Sequence, residues 1–213
     1  NLEARQFFSS ARPDIGNATT SLRKQLIDDL LLKDPALFQA YQDAIYSSSA
    51  EIRWYQNSNR NPYLYQARVN TYSLFVQLLF GLLSENGLSG LIVPSGIAND
   101  DTSRYLFKHL MESRCLLKLY DFENRKKLFP SVHSSYRFCT ITISGKPRDP
   151  GQTDFVFFAT EVSDLRDEYR HFNLSSDELQ LLNPITGLCP TFRNKRDKQT
   201  TTEIYRRVSA FIS

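Results

Sequence analysis

The sequence predicts an α/β fold in which helices lead into a partial, doubly wound sheet. Three observations carry that reading. An apolar run around residues 88–93, bounded by glycine and proline, has the character of a strand buried on both faces. A helical repeat and a second apolar run follow it, the helix–strand alternation of an α/β unit. Residues 1–60, by contrast, carry helical spacing and no strand signal.

Each element follows in turn. Leu22, Leu26, Leu30 and Leu31 recur at helical spacing. Asp34 is placed to cap the next helix and Pro35 to occupy its first position, with Leu37, Tyr41, Ile45 and Ile52 on one broad face. Residues 57–68 lack any period and carry Asn, Ser, Pro and Arg, so they read as a loop. A strong helix is predicted over about 70–83, with Tyr72, Phe75, Leu79 and Leu82 on one side and Val76 and Leu83 widening the stripe. It stops at Glu85-Asn86-Gly87.

The strand around 88–93 is followed by a helix that opens on the acidic stretch 99–101, with Tyr105, Leu106, Leu110 and Met111 at helical spacing. A second strand is read at 115–124, then a turn containing Phe129-Pro130, a third strand at 135–144 and a fourth at 154–160. The last two are too close for a helical crossover, so an antiparallel hairpin between them is expected. Beyond 161 come two short helical segments, a basic stretch at 192–198 and a helix beginning near 201. The organisation implied is a helical segment over 1–69, an α/β half-domain over 70–162 and a helical, basic extension over 163–213.

Composition narrows the function classes. At 213 residues the chain holds one domain, or one and part of another. Mean hydropathy is −0.40, and no apolar run approaches the ~20 residues of a membrane helix. The net charge of +3 is compatible with a nucleic-acid partner without singling one out. Cys115, Cys139 and Cys189 show no CxxC or zinc-ligand spacing and read as buried, reduced thiols, which favours a cytoplasmic setting.

The stretch "NTYSLFVQLLFGLLSENGLSGLIVPSGIANDD" resembles the segment after the catalytic loop in γ-class N6-adenine DNA methyltransferases, at Tyr72, Phe75, Leu82, Leu83, Gly87, Ile92, Val93 and Pro94. "LYDFENRKKLFPSVHSSYRFCTITISG" is similar to their next segment, in which a Phe–Pro element introduces a strand. "YDFENRKKLFPSV", the opening "ARQFFSSARPDIGNATTSLRKQLIDDL" and the later "NPITGLCPTFRNKRD" resemble the type IIG restriction–modification and phage-defence methylases. The resemblance implies a partial Rossmann-like class I methyltransferase sheet, S-adenosyl-L-methionine as cofactor and double-stranded DNA as partner.

The family's Gly-rich cofactor loop and Asn-Pro-Pro-aromatic catalytic loop have no counterpart in these residues. Asn61-Pro62-Tyr63 lacks the second proline. The chain opens at Asn1 and is therefore expected to be the later half of a catalytic domain, inactive alone. The strand at 88–93 would then have an open edge, and self-association is expected.

Carried over from the resemblance, Phe129 of the Phe–Pro element stacks on the target base, beside the bland reading of a turn anchor. Arg125, Lys126 and Lys127, and Arg193, Lys195 and Arg196 near Lys198, are candidate phosphate contacts, against the bland reading of solvated charge. Asn59, Arg60 and Arg68 sit in a loop that is a weaker candidate. Asp100 and Asp101 read as helix-dipole partners rather than paired catalytic carboxylates. Asp121 and Glu123 are expected to flank Phe122 on a solvent face, and His109 and His133 lack a catalytic partner. Two rivals remain. One is a non-catalytic nucleic-acid-binding or specificity module. The other, a hydrolase, is disfavoured by the lack of any GxSxG element.

Overall fold

The computed structural model describes residues 3–58, 62–64, 69–148 and 152–208. The chain divides into two compact units, Asn1–Arg60 and Asn61–Ser213.

The first unit is helical, with α1 (Ala4–Ala11), α2 (Pro13–Gly16), α3 (Thr20–Lys33) and α4 (Pro35–Asn57). Phe8, Ile15 and Leu30 are fully buried, with Phe7, Leu26, Leu37 and Tyr41 packed around them. Arg23 braces the turn before α3 by donating to the carbonyls of Ile15, Gly16 and Ala18. Asp34 caps α4 as read from the sequence, accepting from Leu37 N–H at 3.1 Å with Pro35 in the first turn.

The second unit holds α5 (Thr71–Leu82), β1 (Leu88–Pro94), α6 (Gly96–Asn99), α7 (Arg104–Glu112), β2 (Leu116–Glu123), β3 (Arg137–Ser144), β4 (Thr153–Ala159), β5 (Phe172–Leu174), α8 (Ser176–Leu182) and α9 (Lys195–Arg207). Its sheet runs β1-β3-β2-β4-β5. Strand β3 is antiparallel to both β1 and β2, β4 is parallel to β2, and β5 is antiparallel to β4. The α/β class and the partial Rossmann-like sheet hold.

The expected hairpin does not. Strands β3 and β4 are not neighbours, because both edges of β3 are taken by β1 and β2, so β4 pairs with the free edge of β2. The antiparallel hairpin is β2–β3, joined through the Phe129 turn.

One row across the sheet, Leu91–Ile141–Leu119–Phe155, points into the main core with Leu106, Phe107, Leu110 and Met111 of α7. The alternate row, Ile92–Thr140–Tyr120–Val156, faces the other way. Gly145 ends β3 against the turn before β1, where an added Cβ would lie 1.9 Å from the Ser84 carbonyl oxygen. All three cysteines are free and buried. Among the described residues no helix is long and apolar enough to cross a membrane.

Several details differ from the sequence reading. In α5 the buried residues are Ser73, Val76 and Gln77, whereas Phe75 and Leu82 are 59% and 71% exposed. The helix is apolar on most sides, so its sequence alone does not fix which side turns inward. In α7, Phe107 and not Tyr105 joins the core. The segment after β4 is a short 3-10 turn, Val162–Arg166. Helix α9 begins at Lys195, so the basic stretch lies in its first turn, where the helix dipole opposes positive charge. Within the described residues β1 pairs only with β3, leaving its outer edge open with Leu88 and Ile92 exposed.

His171, just before β5, links three elements of the sheet. Its Nδ1 meets Asp154 at 2.9 Å and its Nε2 meets the Leu165 carbonyl at 3.0 Å, while Tyr120 donates its hydroxyl to Asp154 at 2.7 Å. Both ring nitrogens face acceptors, which selects the doubly protonated ring. Burial pulls the His171 pKa down, but the Asp154 carboxylate and the Leu165 carbonyl outweigh it, and the net shift is upward. A folded-state pKa above the unfolded value of about 6.5 makes this contribution full below that pH and lost as pH rises through the raised pKa. Burial shifts His109 the opposite way, so the comparison must be made against a variant. Urea denaturation from pH 5 to 8 should therefore show a stability loss with rising pH that is smaller in His171→Gln; an identical slope in the two proteins would exclude the role.

Candidate nucleic-acid interface

Strands β1, β2 and β4 run in the same direction, so the residues following them gather at one end of the sheet. That end is where open α/β sheets bind ligands. At its centre lies Asp121, whose side chain is completely buried. Ser95, just past β1, donates its hydroxyl to one Asp121 oxygen. Arg137, at the start of β3, donates to the other at 2.5 Å, and the Phe158 N–H approaches that same oxygen at 3.3 Å. The expectation that Asp121 and Glu123 flank Phe122 on a solvent face is corrected. Asp121 faces the core side opposite Cys139, and Phe122 is buried on the other side against Phe138.

Phe158 is brought there by a bulge. Tyr120 pairs with Val156 but Phe122 pairs with Ala159, so two residues of β4 stand opposite Asp121. Phe158 takes a left-handed backbone, φ +60°. Such a conformation costs a non-glycine residue about 1–3 kcal/mol and persists only where the surroundings hold it. Its ring is flanked by two guanidiniums, Arg137 at 5.1 Å and Arg193 at 5.2 Å. Beside it opens a cleft of about 260 Å³ lined by Phe158, Asp167, Tyr169, Arg170, Arg193 and Asn194.

Phe129 lies on the loop after β2 at this same end. The residue is 38% exposed, and its ring rests edge-on against Phe138 at 4.9 Å. Phe138 in turn stacks on Phe122 at 5.3 Å. The sequence left base-stacking and turn-anchoring as alternatives; the contact with Phe138 and the partial exposure of the residue are compatible with both. Leu128, Val132 and Tyr136 are also exposed on this loop.

The basic candidates fall into different situations. Arg125 pairs with Glu123 at 2.5 Å and Lys126 with Glu161 at 2.9 Å. The Glu161 contact raises the Lys126 pKa and lowers that of Glu161. Lys127 adopts a left-handed backbone and donates to the Val132 carbonyl at 3.2 Å. Arg193 packs over Phe158, and Lys195 and Arg196 are exposed in the first turn of α9. Lys198 is a structural residue, with its ammonium 2.5 Å from Glu178 and both side chains largely buried. Asn59, Arg60, Asn61 and Arg68 lie outside the described residues.

The remaining candidates make local contacts. Asp100 accepts from Thr102 N–H and Asp101 pairs with Arg104. Tyr63 stacks on His109 at 4.3 Å, and His133 meets Ser135. Sequence reasoning missed the linking role of Asp121 and the parts played by Arg137, Phe158 and Asn124. A lone acid inside the apolar run "LLKLYDF" is the signal that pointed to the first of these.

Removing Arg137 would leave a fully buried carboxylate without its cation, a change that costs about 3–5 kcal/mol. Arg137→Leu should lower unfolding stability by that amount in urea titration. Asp121→Asn, which leaves the more exposed Arg137 able to meet water, should cost less; equal effects would contradict the assignment.

No curated protein matches the chain. Residues 41–129, less than half of it, match the family model described as Eco57I restriction-modification methylase, so the chain is similar to restriction–modification methyltransferases from within α4 to Phe129 itself.

Proposed function

We propose that this chain is the later half of the catalytic domain of an S-adenosyl-L-methionine-dependent DNA adenine-N6 methyltransferase of a restriction–modification system, with or without a fused nuclease. The observation that carries this reading is the family match, which takes in β1, β2 and the loop up to Phe129. In this reading residues 70–162 supply sheet core and part of the DNA cleft, and 163–213 lead towards a target-recognition region. The setting is the cytoplasm and the partner is double-stranded DNA.

An adenine amine is out of reach inside the base stack, so the base must leave the helix and be held in a pocket. Phe129 supplies the stacking face. Arg193, Lys195 and Arg196 contact phosphates, and Arg125, Lys126 and Lys127 join them when Arg125 and Lys126 exchange their glutamate partners, and Lys127 the Val132 carbonyl, for phosphate oxygens. Ion pairs held in contact with solvent contribute little to stability, so the exchange is cheap.

The described residues do not fit the cofactor. Their glycines form no Gly-x-Gly loop, and Gly96, which opens the turn after β1, already lies against the Tyr72 hydroxyl. The methyl donor's site and the catalytic loop are therefore assigned to sequence outside these residues. The open edge of β1 is the place where the preceding part of the sheet joins, or where copies of the isolated chain associate.

Methyl transfer from labelled S-adenosyl-L-methionine to unmethylated DNA tests the reading, with the chain alone compared with the chain joined to its upstream coding sequence. Activity is expected only in the joined protein, reduced roughly 5- to 150-fold by Phe129→Ala, the equivalent of about 1–3 kcal/mol of stacking. The isolated chain should also elute larger than a monomer. A folded, joined protein that binds DNA with strong salt dependence but transfers no methyl group would instead identify a non-catalytic binding module.

A further inference from the structure

We infer that Asn124 is the positioning residue that sets Phe129 for base stacking, an assignment that rests on the stacking role proposed above. Asn124 follows directly after β2 and is completely buried. A buried amide must satisfy both its donors and its acceptor. Here all of these are met by the loop that carries Phe129. Asn124 Oδ1 accepts from the Phe129 N–H at 2.9 Å. Its Nδ2 donates to the Phe129 carbonyl at 2.9 Å and to the Val132 carbonyl at 2.9 Å.

The backbone of the same residue closes the loop at both ends. Asn124 N–H donates to the Tyr136 carbonyl at 3.1 Å, and the Asn124 carbonyl accepts from Lys127 N–H at 3.0 Å. Phe129 is thus gripped on both sides of its own peptide units while the residue stays partly exposed. A stacking ring on a free loop would have to be ordered at the moment of binding. Gripped in this way it is ordered when the chain folds, which is how preorganisation raises affinity.

The amide is specific for this task. An aspartate keeps the acceptor for Phe129 N–H but, when ionised, turns an oxygen towards two carbonyls. A serine is too short to span from Phe129 to Val132. Both changes release the loop from its grip.

The test uses the chain joined to its upstream coding sequence, with two DNA probes, a fully paired duplex and the same duplex carrying one bulged 2-aminopurine, a fluorescent base already out of the stack. The wild-type chain should prefer the bulged probe and quench its fluorescence. Phe129→Ala should lose that preference by roughly 5- to 150-fold. Asn124→Asp and Asn124→Ser should lose most of it too, with affinity for the bulged probe falling several-fold more than affinity for the paired duplex, and Phe129→Ala combined with Asn124→Ser should be no worse than Phe129→Ala alone. General loss of fold would weaken both probes together.

Hydrogen exchange on the wild-type chain gives an independent reading, since the Phe129 amide should be protected despite its place on an exposed loop. An unprotected Phe129 amide, or full bulge preference in the Asn124 variants, overturns the positioning role while leaving the stacking role standing. A wild-type chain with no Phe129-dependent preference overturns the stacking role, and the inference falls with it.

Discussion

A carboxylate with no access to water, that of Asp121, ties together the working end of the sheet. Desolvating a charge costs several kcal/mol unless hydrogen bonds and an opposite charge compensate it. Ser95, Arg137 and the Phe158 N–H supply that compensation from the turn after β1, from β3 and from β4. The arrangement depends on strand order. Only because β3 is inserted between β1 and β2 does Arg137 begin beside Ser95 and opposite Glu123. The bulge in β4 follows from the same centre, since it turns the Phe158 N–H towards Asp121 at the expense of a left-handed backbone.

The rest of the rim is built outward from there. Arg137 and Arg193 flank the Phe158 ring, and Phe122, Phe138 and Phe129 form a line of rings ending at the surface. Aromatic faces beside guanidiniums suit unstacked bases and phosphates together. Two of the loop cations are already engaged, Arg125 by Glu123 and Lys126 by Glu161. Under the proposed function, the electrostatic attraction of this rim for DNA is therefore more modest than the run of basic residues suggests, and shape and stacking would carry more of the recognition.

What was legible in the sequence was local. The Asp34-Pro35 cap, the four longer strands and the turn at Phe129-Pro130 are specified by residues adjacent in the chain. Strand order is not, because which edge β4 finds depends on what β3 has already covered. Strand β5 has three residues, too few for a period to show. The start of α9 was hidden by cations where the helix dipole disfavours them. In the candidate site, Phe129 was visible through a family resemblance. Asp121 was misplaced because a charged residue in a strand is normally turned to solvent, and its three donors lie far off in sequence. Asn124 carried no sequence signal, since its role exists only once the loop has closed around it.

Under the proposed function, an unpaired base meets the chain at the carboxyl ends of β2 and β4. Photo-cross-linking tests it most directly, using DNA with a single bulged 5-iodouracil followed by peptide mapping. The account predicts adducts on the loop between β2 and β3, centred on Phe129, with phosphate-side contacts near Arg193. Adducts confined to the first helical unit, or to the surface of α8, would contradict it.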